Sequence, residues 1–181
     1  MSNVLIVAGH PDPQSSIANK EIVAKLAEQL PGSVVDDLGA LYPDYHIDVA
    51  AEQAKLEAAD VVVLDFPVYW YAMPSLLQKW VEDVFTYGWA YGSTGDKLHG
   101  KKLVVSLTAG APGELYTREG ALGHTIEDFF PSTLCTAGLT GLEFKGFVFT
   151  GGLGHQAGNE DDLRAKADEH AERVLTLVKG L

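Results

Sequence analysis

The chain has a single cysteine, Cys135, in 181 residues, so no intrachain disulfide can form. With no histidine or basic residue near it in sequence, Cys135 reads as a small buried apolar side chain rather than a nucleophile. Basic residues are scarce as well: 13 Lys plus Arg stand against 25 Asp plus Glu, a formal net charge of −12. Such a balance excludes a sequence-independent grip on nucleic acid or on an anionic membrane, both of which need a basic face. No stretch approaches the roughly 20 apolar residues that span a bilayer. The apolar run that follows Met1-Ser2-Asn3 is too short for a secretion signal and lacks its basic flank. A cytoplasmic location is therefore expected. Two phosphate-binding fingerprints are also missing, G-x-G-x-x-G and G-x-x-x-x-G-K-[ST], which argues against a dinucleotide fold of that type and against an ATP-binding P-loop. No metal-ligand set is read from the sequence.

What the chain does contain is the composition of a folded protein, with 46% hydrophobic and 21% charged residues. Its length suits one domain, residues 1–181. Val4-Leu5-Ile6-Val7-Ala8 has the continuous apolar look of a strand covered on both faces. From Ser16 to Leu30 the periodicity turns helical, with Val23, Leu26 and Leu30 on one face and Pro31-Gly32 ending the segment. Ser33-Val34-Val35 predicts a weaker edge strand, about 48–58 an Ala- and Glu-rich helix, and Val61-Val62-Val63-Leu64 a buried strand. Pro74 opens a helix in which Leu76, Leu77, Trp80, Val81, Val84 and Phe85 form a broad apolar face. Strands are expected at Leu103–Leu107 and between Leu142 and Phe149, and a last helix from about Glu160 to Lys179. Unbroken alternation of strand and helix predicts an α/β fold with a parallel sheet and helices on both faces.

In such a sheet, ligands bind beyond the carboxyl ends of the strands. Three loops leave those ends. The first, residues 9–19, offers His10, Ser15, Ser16 and Asn19 as donors where a phosphate would meet a helix N-terminus; the alternative is an ordinary serine cap. In the second, residues 66–74, the consecutive Tyr69, Trp70 and Tyr71 cannot all face a core, and suit either a flat ring ligand or a subunit contact. The third, residues 108–116, begins Thr108-Ala109-Gly110-Ala111 and lets a ligand approach its main chain closely. Phosphate donors, an aromatic shelf and bare backbone on one sheet edge describe a site for a flavin mononucleotide.

At these residues the chain resembles the flavodoxin-like NAD(P)H:quinone oxidoreductases, and within them the ancillary oxidoreductases of glutathione-gated potassium-efflux systems. The resemblance rests on A-G-H-P-D-P-Q-S-S-I-A-N at residues 8–19 and L-Y-P-D-Y-H-I-D-V-A-A-E-Q at 41–53. It continues in P-V-Y-W-Y-A-M-P-S-L-L-Q-K-W at 67–80 and F-T-Y-G-W-A-Y-G-S-T-G-D-K-L-H-G-K-K at 85–102, then thins after about residue 125. It implies a three-layer sandwich around a five-stranded parallel sheet in the order 2-1-3-4-5. It also implies FMN as cofactor, in preference to FAD, whose adenosine needs extra chain. NADH or NADPH would be a transient hydride donor, and a quinone or similar electrophile the acceptor, in two-electron ping-pong turnover.

Carried over residue by residue, His10 and Ser16, Ile17, Ala18 and Asn19 would hold the phosphate and ribityl chain. Pro67, Val68, Tyr69, Trp70 and Tyr71 would flank the ring, and Thr108, Ala109, Gly110 and Ala111 would bond its polar edge. Tyr116 matches a tyrosine over the substrate pocket that stabilises developing charge. Larger relatives pair it with a histidine six residues on; this chain has Leu122 there, and His124 two residues later is the candidate replacement, or else a surface histidine. Pro112 alters the glycine run. The apolar face of the helix from Met73 to Phe85 is wider than a one-sided helix needs and predicts a homodimer, with that helix and residues 88–92 at or near the interface. The resemblance implies that the partner completes the pocket; a well-buried helix is the alternative reading. Two other roles stay open: a regulatory subunit of a potassium-efflux transporter, held at the inner face of the membrane, and a one-electron flavodoxin-type carrier.

Overall fold

A computed structural model describes residues 2–154 and 158–181. Five strands form one sheet: β1 (Val4–Ala8), β2 (Val34–Asp37), β3 (Val61–Pro67), β4 (Lys102–Thr108) and β5 (Glu143–Thr150). Their order is β2-β1-β3-β4-β5 and every pairing is parallel, the expected topology. Among the described residues six α-helices cover it: α1 (Ala18–Gln29), α2 (Leu38–Leu41), α3 (Val49–Ala58), α4 (Ser75–Val84), α5 (Pro131–Thr140) and α6 (Glu160–Lys179).

Successive strand side chains point to opposite faces, so the continuous apolar strands feed two cores. Val4 and Ile6 of β1 pack with Ile22 and Leu26 of α1 and Ala167, Ala171 and Val174 of α6. Leu5 and Val7 pack on the other side with Leu56 of α3 and Leu76, Leu77 and Trp80 of α4. Acceptors at the helix starts follow the sequence closely. Asp37, Asp48 and Asn159 take the amides of Ala40, Ala51 and Asp162 at 3.1, 3.1 and 2.9 Å.

Several expectations need correction. The inner stripe of α1 is Ala18, Ile22 and Leu26, spaced by four, with Val23 at its margin. Strand β2 runs on to Asp37, and β3 runs to Pro67 with every residue buried, so Phe66 and Pro67 belong to the strand rather than to the loop. Helix α5 is not visible in the periodicity of P-S-T-L-C-T-A-G-L-T, whose residues are mostly weak helix formers. Its signals are Pro131 at the first turn and Gly141, which ends it with φ 72°. A side chain at 141 would also strike the His99 ring. Because Thr133, Ala137 and Thr140 are the buried residues of α5, Cys135 lies on the outer face and is exposed, not interior.

The core facing α3 and α4 contains a charged cluster. Glu52 of α3 accepts hydrogen bonds from the Tyr42 hydroxyl (2.5 Å), the Trp80 indole (2.8 Å) and Lys55 (2.6 Å). Lys55 also pairs with Asp36 of β2, whose second oxygen is buried and has no donor among the described residues. A proton on that oxygen, given to Glu52, satisfies both carboxyls. Burial pushes the Asp36 carboxyl up to about 7, with the Glu52 carboxylate adding to the rise and Lys55 opposing it. Burial works against ionised Glu52 too, but its bonds to Asp36, Lys55, Tyr42 and Trp80 outweigh that and hold its pKa below the usual range.

Because the folded pKa of Asp36 lies above the unfolded one, the native state binds the extra proton. The contribution is complete below about 3.8 and is lost as pH rises through about 7. Asp36→Asn keeps an oxygen for Lys55 and supplies a permanent N–H for Glu52. Its melting temperature relative to wild type should therefore rise between about pH 5 and pH 8. An offset that does not change with pH contradicts the shared proton.

Candidate functional site

Three loops meet beyond the carboxyl ends of β1, β3 and β4, and hydrogen bonds tie them into one surface. In the first, Asp12 N–H donates to His10 Nδ1 at 3.1 Å, so the other ring nitrogen carries the proton and faces the Tyr69 hydroxyl at 3.4 Å. That contact joins the first loop to the second. The second joins the third through Val68 N–H, which donates to the Thr108 carbonyl at 2.7 Å.

The expected residues divide by burial. Ser16, Ala18, Asn19, Thr108, Ala109 and Pro67 are buried, and Ile17, Val68 and Ala111 are partly so. His10 is half-buried, while Tyr69, Trp70, Tyr71 and Gly110 are exposed. Asn19, which the sequence reading offers to a phosphate, turns its amide inward. It donates to Asp65 Oδ2 at 3.0 Å and accepts from Thr108 Oγ1 at 3.1 Å. Its main-chain N–H is taken by Ser16 Oγ, also at 3.1 Å. The N-cap position of α1 is Ile17, which supplies no side-chain cap. Ser16 Oγ caps one first-turn amide in its place, and the remaining first-turn amides and the positive end of the helix are the groups there that suit an anion.

The second loop is a tight hairpin. Tyr69 and Ala72 exchange both main-chain hydrogen bonds at 3.0 Å, and the two residues between them, Trp70 and Tyr71, have φ of 48° and 65°. Such a turn prefers Asn or Gly, and bulky residues in this conformation cost of order 1–3 kcal/mol each. Trp70 is 94% exposed and so recovers nothing by packing within the chain.

The third loop is held by main-chain contacts with the segment after β5. Ala109 N–H bonds the Thr150 carbonyl at 3.0 Å, and Leu153 and Gly152 return bonds to Ala109 and Ala111 at 2.9 and 2.7 Å. Gly151 approaches the Gly113 main chain so closely that a side chain there would collide with it. The glycines at 151, 152 and 154 are thus part of the site's support, and their cluster was the available signal for it.

Tyr116 is buried, edge-on to Phe149 at 5.0 Å and to Phe129 at 6.0 Å between ring centroids. Burial raises its pKa, with the Tyr71 hydroxyl adding to the effect. Phe129, which sequence reasoning missed, also touches Tyr71 at 5.0 Å and His124 at 5.9 Å. His124 itself is exposed and bonds Asp128 Oδ2 at 3.1 Å, the same carboxylate that accepts the Thr125 N–H and closes a capping box. Tyr116 and His124 thus share Phe129 as a neighbour and do not touch each other. Leu122 is half-buried against the core.

Among the described residues no group of three or more His, Cys, Asp or Glu could hold a metal, and no helix is long and apolar enough to cross a membrane. The group that fits is flat, polar-edged and phosphorylated. The start of α1, the exposed Gly110 backbone and the strained aromatic hairpin lie on one surface.

Comparison with known proteins agrees with this geometry. The sequence model of a family described by its flavodoxin-like fold matches residues 2–174. The chain is similar to an uncharacterized NAD(P)H oxidoreductase of Bacillus subtilis, 38% identical and covering 97% of each chain. It is also similar to general stress protein 14 of Bacillus subtilis, 40% identical over 82% of this chain and 85% of that one. Among solved structures, general stress protein 14 of Treponema denticola in complex with FMN superposes with a TM-score of 0.86. That pair is 31% identical, over 97% of this chain and 99% of that one.

The hairpin strain is testable without a ligand. Trp70→Asn places a residue tolerant of positive φ at an exposed position, and should raise stability by about 1 kcal/mol in chemical denaturation. The same change should weaken binding of a flat ring ligand. A loss of stability would mean that the Trp70 ring packs within the chain.

Proposed function

This chain belongs to the family with the flavodoxin-like fold, and we propose that it is an FMN-dependent NAD(P)H:quinone oxidoreductase. The observation that carries the proposal is the Trp70–Tyr71 hairpin, a strained and exposed aromatic turn beside the N-terminus of α1. Strain of this kind persists where the surroundings or a function maintain it. The 38%-identical relative named an NAD(P)H oxidoreductase and the relative crystallised with FMN support the same reading.

FMN, when bound, supplies the two-electron carrier between a nicotinamide and a quinone. The residues of the chain do the rest. The first-turn amides of α1 and the Ser16 hydroxyl receive the phosphate, with His10 held beside them by Asp12 and Tyr69. Val68 and the hairpin aromatics flank the ring, and the bare main chain at Gly110 and Ala111 meets its polar edge. Tyr116 keeps its proton at neutral pH as any tyrosine does, the more so because burial raises its pKa, and so can donate a hydrogen bond to developing negative charge.

The partner is a second copy of the chain. Four residues of the broad α4 face, Leu76, Leu77, Trp80 and Val84, are buried within the chain itself, so the breadth of that face is mostly its own core. What is left is an apolar groove between α4 and α5, lined by Met73, Val81, Phe85 and Thr136. Leu139 is 64% exposed and shares a face of α5 with Ser132 and Thr136. The solution mass should therefore be that of a dimer, and Leu139→Asp should shift it towards a monomer in light scattering. A wild-type monomer would remove this part of the proposal.

The activity is tested by purifying the protein, checking for a yellow colour and following NADH and NADPH oxidation with a small benzoquinone. A colourless protein that stays inactive with added FMN refutes the assignment. Tyr116→Phe should lower kcat by roughly tenfold or more while flavin occupancy stays intact. Loss of the flavin instead would assign Tyr116 to binding.

A further inference from the structure

Asp65 lies in the middle of the apolar strand β3 and is fully buried. No cation pairs with it among the described residues. Its hydrogen bonds instead run to both ends of the first loop. At the start of that loop, the Gly9 N–H donates to the Asp65 main-chain carbonyl at 2.8 Å. At its end, the Asn19 amide donates to Asp65 Oδ2 at 3.0 Å. Asn19 in turn accepts from Thr108 Oγ1, and through its main-chain N–H it holds the Ser16 hydroxyl oxygen.

The other oxygen of Asp65 closes a chain of donors from the far side of the sheet. Ser106 Oγ donates to Asp65 Oδ1 at 2.5 Å. Its only proton is spent there, so His170 Nε2, 2.8 Å away, is the donor to Ser106. His170 Nδ1 must then accept from Thr150 Oγ1, also at 2.8 Å, and Thr150 accepts from Arg173. Burial, and then Arg173, lower the pKa of His170 to about 3, consistent with this neutral tautomer. Every proton in the network points towards one carboxylate. Both of its oxygens must accept, which an aspartate does and an asparagine cannot.

We propose that Asp65 is a positioning residue for the first loop: it grips Gly9 and Asn19 together, and thereby orients Ser16 and the first turn of α1 towards a phosphate. The inference rests on the reading of that loop as the phosphate site, and adds to it the residue that shapes the loop from beneath. An amide at position 65 would present an N–H to either Asn19 or Ser106. Facing Asn19, it would force that amide to turn over, and Thr108 and Ser16 would lose the oxygen to which they now point. The ligand would meet a loop that must be ordered on binding, and affinity falls by that cost.

The experiment titrates the flavin-free full-length chain with FMN and with riboflavin, which lacks the phosphate, by quenching of flavin fluorescence. Wild type should bind FMN the more tightly of the two. Equal affinities would refute the phosphate reading itself, and the present inference with it. In Asp65→Asn the FMN affinity should fall by about tenfold while riboflavin is bound as before. Amide hydrogen exchange in residues 9–19 of the ligand-free protein should also quicken. Ser106→Ala, which leaves the Asn19–Asp65 bond in place, should lower the melting temperature and keep the preference for FMN. If Asp65→Asn weakens both flavins equally, or neither, Asp65 has only a structural role and the inference falls while the phosphate reading stands. If that variant does not fold, Asn19→Ala removes the other end of the same bond and is judged by the same ratio and the same exchange.

Discussion

The two-sided burial of the parallel sheet is the constraint from which the rest of the molecule follows. Because α1 and α6 cover one face and α3, α4 and α5 the other, none of the central strands β1, β3 and β4 offers a solvated side on which to build chemistry. Polar backbone becomes available only where the strands stop. All the loops that carry candidate functional residues leave the same sheet edge, and the strand order reverses on either side of β1, the position at which ligands enter folds of this kind. The site is thus a consequence of topology before any of its side chains is considered.

The same burial makes each polar group inside the sheet costly unless it is fully bonded. Among the described residues two buried networks hold a carboxylate, one in each half of the interior. The Asp36–Glu52–Lys55 cluster joins the edge strand β2 to α3, and takes its remaining donors from Tyr42 and Trp80. The Asp65–Ser106–His170 network joins β3 and β4 to α6. The two differ in character. The first has a cation, a shared proton and no link to the loops, and so acts on stability. The second has no cation partner for its carboxylate among the described residues and ends on Asn19, where a change in hydrogen bonding reaches the first loop.

Legibility in the sequence followed burial. β1, β3 and β4 announce themselves as apolar runs because both of their faces are covered. The loops between them stand out because their composition cannot be explained by a core. α5 escaped because its inner stripe is Thr133, Ala137 and Thr140, which carry little hydrophobic signal; only the terminal Pro131 and Gly141 mark it. Misreading Cys135 as interior followed from not seeing that helix. Phe129 was invisible for a different reason: it serves the site through ring contacts with Tyr71, Tyr116 and His124, and nothing in its neighbourhood separates it from an ordinary core aromatic. Asp65 did leave a signal, a lone acid within V-V-V-L-D-F-P. Its partners are 41 and 46 residues away in sequence, so spacing alone could not supply the network.

Charge sharpens what the first loop would have to do as the proposed phosphate site. The chain carries a formal net charge of −12, and both a flavin phosphate and a nicotinamide dinucleotide are anions, so the long-range field opposes their approach. That field is screened over about 8 Å at physiological ionic strength. Attraction must therefore come from groups within that distance, and amide N–H groups and a helix terminus act only over the last turn. Such donors are weak individually and depend steeply on direction. A basic site could tolerate a loosely held loop, because a lysine follows its anion. A site built from amides cannot, since its geometry has to be set before the ligand arrives. On the proposed reading of that loop, the buried grip on Asn19 meets that requirement at the lowest electrostatic cost: the Asp65 carboxylate that provides it is enclosed by Ser106 and Asn19 rather than turned towards the phosphate.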